Sequence, residues 1–184
     1  MNKPAGTIIL GVTGGIAAYK AADLASKLRQ AGVDVHVVMT ASARKFITPL
    51  TFEYITGNPV ITSLFEKAGG HNTDHIALSD AADAAVIAPA TANIIGKLAN
   101  GIADDALSTI IMAFDKPLII APAMNQRMFE SAALQENLQR LKSRGVRQVG
   151  PGEGWLACGT TGIGRMADVQ QILDAVMQEL KREE

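Results

Sequence analysis

Aromatic side chains are scarce in these 184 residues, at 4% of the chain. Aliphatic residues and alanine carry nearly all of the 48% hydrophobic content. That composition favours helices packed closely on a sheet over an aromatic-rich all-β sandwich. Cysteine occurs once, at Cys158. No internal disulfide can form, and a reducing, cytoplasmic compartment is expected. Net charge is −1 with no basic block, so the footprint of a nucleic-acid binder is missing. No apolar run is long enough to span a membrane, and the opening MNKPAGTIILGVTGG is too short an apolar stretch for a signal peptide. A chain of this length buries about 70% of its unfolded surface, and a single domain over residues 1–184 is expected.

What is present is an alternation of short apolar runs and longer amphipathic ones. TIILGV (7–12) reads as a buried parallel strand that ends at glycines. A helix follows, with Leu24 and Leu28 on one face and Gly32 beyond its end. VDVHVVM (33–39) is a second strand, and the three together make a βαβ unit. A helix ending at Gly57 comes next, then a polar loop through KAGGHNTDHIALSD running into a short element. Buried strands are expected at 84–93, breaking at Pro89, and at 116–125, with a helix over 105–114 between them. Ser131 is placed to cap a helix carrying Leu134, Leu138 and Leu141, followed by a short strand in VRQVG. Asp168 and Gln171 have capping-box spacing ahead of the last helix. The fold class is α/β: a three-layer αβα, Rossmann-like domain around a mostly parallel sheet.

Three places draw attention as a site. Gly14 and Gly15 stand where the first strand turns into a helix, a geometry that serves a tight turn or a bound phosphate. The second strand ends in Thr40 and Ser42 where a dinucleotide site carries an acid on the ribose. Two hydroxyls point to a mononucleotide with one phosphate rather than NAD. Finally, VIAPATAN and IIAPAMN share one ending, which brings Thr91, Asn93 and Asn125 to the carboxyl edge of the sheet. His71 and His75 lie four apart, but no third-ligand motif accompanies them and no metal is expected.

GVTGGIAAYK, PATAN, PAMNQRM and ACGTTGIGRM, in this order and spacing, resemble the homo-oligomeric flavin-containing cysteine decarboxylases. The resemblance runs from about residue 7 to residue 170. It implies FMN bound without a covalent link where subunits of a trimer, or of trimers gathered into a dodecamer, meet. It places Gly14, Gly15, Ile16, Thr40, Ser42, Thr91, Ala92, Asn93, Ile94 and Ala123 around that cofactor. Family members often carry serine at the position of Thr91, threonine at that of Ile94 and tryptophan at that of Phe129. The Ile94 difference removes a hydroxyl.

The resemblance also implies a substrate. In its coenzyme-A-forming branch this is 4′-phosphopantothenoylcysteine, converted to 4′-phosphopantetheine and CO2. His75 matches the active-site histidine, and Asn125 the asparagine that binds the substrate carboxylate. Met124, Ala157, Gly159 and Arg165 are placed beside the substrate. Direct loss of CO2 would leave an unstabilised carbanion. Oxidation of the CH2–SH group to a thioaldehyde puts C=S β to the carboxylate, so CO2 leaves to give an enethiolate. Re-reduction then takes its proton from Cys158, a thiol with an ordinary pKa near 8.5. A glycine-rich flap over Pro151–Met166 would carry that cysteine to the substrate; a buried core cysteine is the plain alternative.

Other readings stand beside this one. Peptidyl-cysteine decarboxylases stop at the enethiol and lack the cysteine. Flavin prenyltransferases use no such flap, and non-catalytic flavin-binding regulatory subunits lose the histidine or the asparagine. Many bacterial relatives continue into a ligase domain that joins phosphopantothenate to cysteine, and such a ligase, linked or separate, is an expected partner.

Overall fold

In the computed structural model, which describes residues 5–65, 74–155, 159 and 161–181 (backbone alone at 74 and 75), the first apolar run forms strand β1 (Thr7–Val12). Successive side chains leave a strand on opposite faces. Ile8, Leu10 and Val12 enter one core with Leu24 and Leu28, while Ile9 enters a second core with Leu107 and Ile110. Burial on both faces leaves no place for a polar alternation, hence the continuous apolar run. Helix α1 (Ala18–Gln30) stops short of Gly32, whose φ of 82° reverses the chain into β2 (Asp34–Met39). A 3-10 turn at Ala43–Lys45 and helix α2 (Pro49–Thr56) follow. Phe52 of α2 is fully buried in the first core; truncating such a ring to alanine costs about 3–5 kcal/mol.

The chain then crosses to the far side of β1. Helix α3 (Asp74–Ala81) leads into β3 (Ala84–Ala90), then α4 (Ala92–Asn100), α5 (Ala106–Met112) and β4 (Leu118–Pro122). A short α6 (Gln126–Phe129), α7 (Ala132–Ser143) and β5 (Arg147–Gln148) complete the sheet. The strand order is β2-β1-β3-β4-β5 with every pairing parallel. The last helix, α8 (Val169–Leu180), buries Ile172, Ala175, Val176 and Leu180 in the first core beside α1. The second core lies under α4, α5 and α7. This is the expected αβα sandwich. Asp83 fixes the register between β1 and β3: its N–H donates to the Thr7 carbonyl and its carboxylate accepts from the Thr7 N–H, both at 2.7 Å.

Two expectations change. The strand at 84–93 does not break at Pro89; β3 continues to Ala90, which still pairs with Pro122 after a register shift beyond Ile87. Proline offers no N–H to the ladder, and the shift lets the strand pass it without abandoning its neighbour. In the segment 151–166, expected as a glycine-rich loop, most of the described residues lie in regular strands rather than loop. They form an antiparallel pair, β6 (Gly152–Trp155) and β7 (Thr161–Arg165), separate from the main sheet. Among the described residues no helix is long and apolar enough to cross a membrane.

Helix caps agree with the sequence. Ser131 accepts from the Leu134 N–H, and Gln171 accepts from the Asp168 N–H at 3.2 Å. A further capping box was not anticipated. Asp105 accepts from the Ser108 N–H at 2.8 Å, Ser108 Oγ accepts from the Asp105 N–H, and Lys97 lies 2.7 Å from the same carboxylate. Burial alone would raise the Asp105 pKa, but the Lys97 and Ser108 hydrogen bonds outweigh it and hold the carboxyl below its ordinary value. A lowered folded pKa stabilises the protein above the ordinary carboxylate range, and that contribution is lost as pH falls through the lowered value. Asp105→Ala should therefore cost about 1 kcal/mol near neutral pH. Urea unfolding should show this deficit shrinking in acid.

Candidate functional site

Reversal of strand order on either side of β1 opens a crevice at the carboxyl ends of β1 and β3. Thr13, buried immediately after β1, spans the crevice floor. Its hydroxyl donates to the Pro89 carbonyl at 2.6 Å and accepts from the Thr91 N–H at 3.2 Å. One side chain thus ties the turn after β1 to the turn after β3. Thr91 then caps α4 by accepting from the Ile94 N–H.

Above this floor lies a cavity of about 780 Å³, within the range of small-molecule and cofactor sites. It gathers nine of the residues singled out in the sequence: Gly14, Gly15, Ile16, Thr91, Ala92, Ala123, Met124, Asn125 and Arg165. Asn125 begins α6, where its Oδ1 accepts from the Arg127 N–H at 2.8 Å. That bond fixes the amide plane of a side chain standing in the cavity wall.

Five expected residues among those described lie elsewhere. Thr40 and Ser42 are behind the glycine turn, where Thr40 Oγ1 accepts from the Ala43 N–H at 3.2 Å. A Cβ on Gly14 would overlap Ser42. The absent side chain at Gly14 therefore admits another stretch of this chain, which is a second reason for glycine beyond approach to a ligand. Ile94 is buried in the second core with its N–H committed to Thr91, and Asn93 is exposed outside the cavity wall. Gly159 is exposed with φ of 83°. Ala157 and Cys158 lie outside the described residues, as does the side chain of His75. The backbone of His75 falls in the first turn of α3. That helix ends at the amino edge of the sheet, where Lys116 bonds the Asp80 and Ala82 carbonyls.

The hairpin closes one side of the cavity. Met124 donates its N–H to the Gly164 carbonyl at 2.9 Å. Gly164 has φ of 134°, and a Cβ there would overlap the Met124 carbonyl oxygen. Only glycine lets β7 lie this close to the turn that holds Asn125. Trp155, Gly164, Arg165 and Met166 supply the hairpin's share of the wall.

Sequence reasoning missed Thr13, Tyr19, Lys20 and Met128, the last three of which also line the cavity. Tyr19 and Lys20 follow the glycine turn by one helical turn. Projecting α1 from Gly15 would have placed them at the site. Burial, and after it the nearby Arg165 guanidinium, holds the Lys20 ammonium below its ordinary pKa, with Asp168 offsetting part of the effect.

A five-stranded parallel sheet in this order, with a glycine turn and an apolar cavity at its switch point, is the architecture of a mononucleotide-binding α/β protein. The chain belongs to the Flavoprotein family, which it matches over residues 1–181. It is 48% identical over 167 residues to the coenzyme A biosynthesis bifunctional protein CoaBC of Escherichia coli (strain K12), covering 91% of this chain and 41% of that one. The chain thus spans about two fifths of the curated relatives it matches. Among solved structures it resembles a cysteine-to-serine variant of PPC decarboxylase complexed with pantothenoylaminoethenethiol (TM-score 0.84, 33% identity, 100% of both chains covered). It also resembles the FMN-dependent cysteine decarboxylase SpaF (TM-score 0.84, 35% identity, 96% of each chain covered).

Replacing Thr13 with valine leaves the buried Pro89 carbonyl without this donor and the half-buried Thr91 N–H without this acceptor, at a cost of about 1–3 kcal/mol. Thr13→Ser keeps the hydroxyl and should lose much less. Urea midpoints of the two variants check this.

Proposed function

We propose that this chain is an FMN-dependent decarboxylase that converts 4′-phosphopantothenoylcysteine to 4′-phosphopantetheine and CO2, the decarboxylase step of coenzyme A formation. One observation carries the reading: Asn125, the Gly14–Gly15 turn and the Gly164 hairpin meet around a single cavity in a chain of this family. The likeness to PPC decarboxylase over the full chain supports it. The wall suits FMN. The glycine turn presents backbone without side chains, a Cβ on Gly15 would have only Thr91 as a neighbour at 3.7 Å, and Ala92, Ala123 and Met124 offer an apolar face. When bound there, FMN supplies the two-electron oxidation of the substrate's CH2–SH group and returns the electrons after CO2 has left.

The protein's own residues position and protonate. Asn125 has its Oδ1 held by the Arg127 N–H, which presets the orientation of the amide toward a carboxylate. An amide holds that group without the positive charge that would stabilise it against loss as CO2. Cys158 lies in the sequence between the two arms of a hairpin whose base is bonded to Met124. A thiol at that place is the proton donor for the last step. His75, in the first turn of α3, is the second catalytic group. Thr91 and the backbone of Gly14, Gly15 and Ile16 hold the cofactor.

Ile16 and Tyr19, each 62% exposed, and Trp155, 68% exposed, leave an apolar rim around the cavity. Such a rim belongs against ligand or partner, and a homo-oligomer with the flavin pocket shared between subunits accounts for it. Trimeric assembly, alone or gathered into a dodecamer, a cytoplasmic setting and a linked or separate phosphopantothenate–cysteine ligase complete the proposal.

The purified protein loaded with FMN should release CO2 and 4′-phosphopantetheine from 4′-phosphopantothenoylcysteine; no release overturns the reading. Cys158→Ser should still release CO2 but accumulate the enethiol, detected by mass. His75→Asn should lose CO2 release at least about 100-fold, the lower range of a general acid–base contribution, while retaining FMN.

A further inference from the structure

Lys20 and Arg165 are the only charged side chains among the described residues of the cavity wall, and both are cationic. They come from different parts of the fold. Lys20 stands in the first turn of α1, packed on the main sheet, and Arg165 is the last residue of β7 in the hairpin. Among the described residues neither forms an ion pair, although Lys97, Arg147 and others elsewhere do. The two cations are close enough to oppose each other's charge while Lys20 is partly withdrawn from water. Two like charges facing one cavity, offset only in part by Asp168, favour an anion between them.

Arg165 is also held in place. Its side chain crosses to the opposite arm, lying 3.2–3.3 Å from where a Cβ on Gly154 would stand. The glycine makes room for the guanidinium stem, and the backbone of Arg165 is fixed by the Gly164 junction to Met124. A planar guanidinium with a compact ammonium beside it suits a phosphomonoester dianion: the first offers a fork to two oxygens, the second a point charge to the third.

We propose that Lys20 and Arg165 form the subsite for the phosphomonoester of the acyl-cysteine substrate, and that this pair makes the enzyme prefer the phosphorylated compound. The assignment rests on the decarboxylase reading above. A flavin phosphate has the same chemistry, but Gly14, Gly15 and Thr91 lie at the sheet edge, whereas Arg165 belongs to the hairpin. A cation there meets a ligand that exchanges with each turnover. The bound phosphate would join the hairpin to α1 and use binding energy far from the reacting carbon to secure the closed site.

The test compares 4′-phosphopantetheine with pantetheine by calorimetry on the FMN-loaded protein. Parallel turnover assays use 4′-phosphopantothenoylcysteine and its unphosphorylated form. Lys20→Met and Arg165→Met should each reduce the preference for the phosphorylated ligand by about 10- to 100-fold, the worth of one charged hydrogen bond. Lys20→Arg should keep most of it. Retained FMN, read from absorbance after gel filtration, should equal wild type in all three. Loss of FMN with an unchanged preference assigns the cations to the cofactor and overturns the proposal. Unchanged preference with unchanged FMN overturns it as well. Wild type that processes both substrates equally well sinks only this assignment, whereas wild type that binds and processes neither sinks the decarboxylase reading and this assignment with it.

Discussion

The Thr13 hydroxyl is the interaction on which the site depends. It sits where strand order reverses, donating to the Pro89 carbonyl near the end of β3 and accepting from the residue that caps α4. An open parallel sheet creates a crevice at such a point whatever its sequence. It does not by itself fix the separation of the two turns that line the crevice. A buried hydroxyl with both capacities used supplies that constraint, and its removal takes the partner from one buried and one half-buried backbone group. The Gly14–Gly15 turn on one side and Thr91 on the other inherit their spacing from it.

A second constraint comes from glycine. Gly14 admits Ser42, Gly154 admits the stem of Arg165, and Gly164 admits the Met124 carbonyl. The first packs the second strand's turn behind the cavity, the second seats Arg165 across the hairpin's own arms, and the third locks the hairpin to the cavity front. The hairpin is therefore firm at its base, where it meets Asn125, while the residues that join its arms carry Cys158.

Much of the fold was legible in the sequence, and the reasons are physical. Residues 8–12 and 84–90 are apolar throughout because both faces of their strands are covered. Leu24 and Leu28 mark the buried face of α1, and Ser131 and Asp168 announce helix starts by chemistry local to the cap. Pro89 misled, since proline usually ends a ladder, yet here the register shifts and Ala90 resumes pairing. The hairpin was hidden because Gly152, Gly154, Gly162 and Gly164 give its strands no hydrophobic alternation; backbone pairing and close approach hold it instead. Lys20 escaped notice because a lysine one turn into an amphipathic helix reads as a solvated residue. Only the hairpin, folded back from 145 residues away, turns its surroundings into a cavity wall. Thr13 carries no motif at all, and its role exists only once β1 and β3 are neighbours.

The central claim is that the cavity at this switch point oxidises the substrate's sulfur-bearing carbon so that CO2 can depart. The most direct measurement is the visible absorbance of the FMN-loaded protein in a stopped-flow instrument, with oxygen excluded and 4′-phosphopantothenoylcysteine added. The account predicts that the oxidised-flavin band falls on mixing and returns as the substrate is exhausted. An absorbance that never changes while CO2 is released would contradict it.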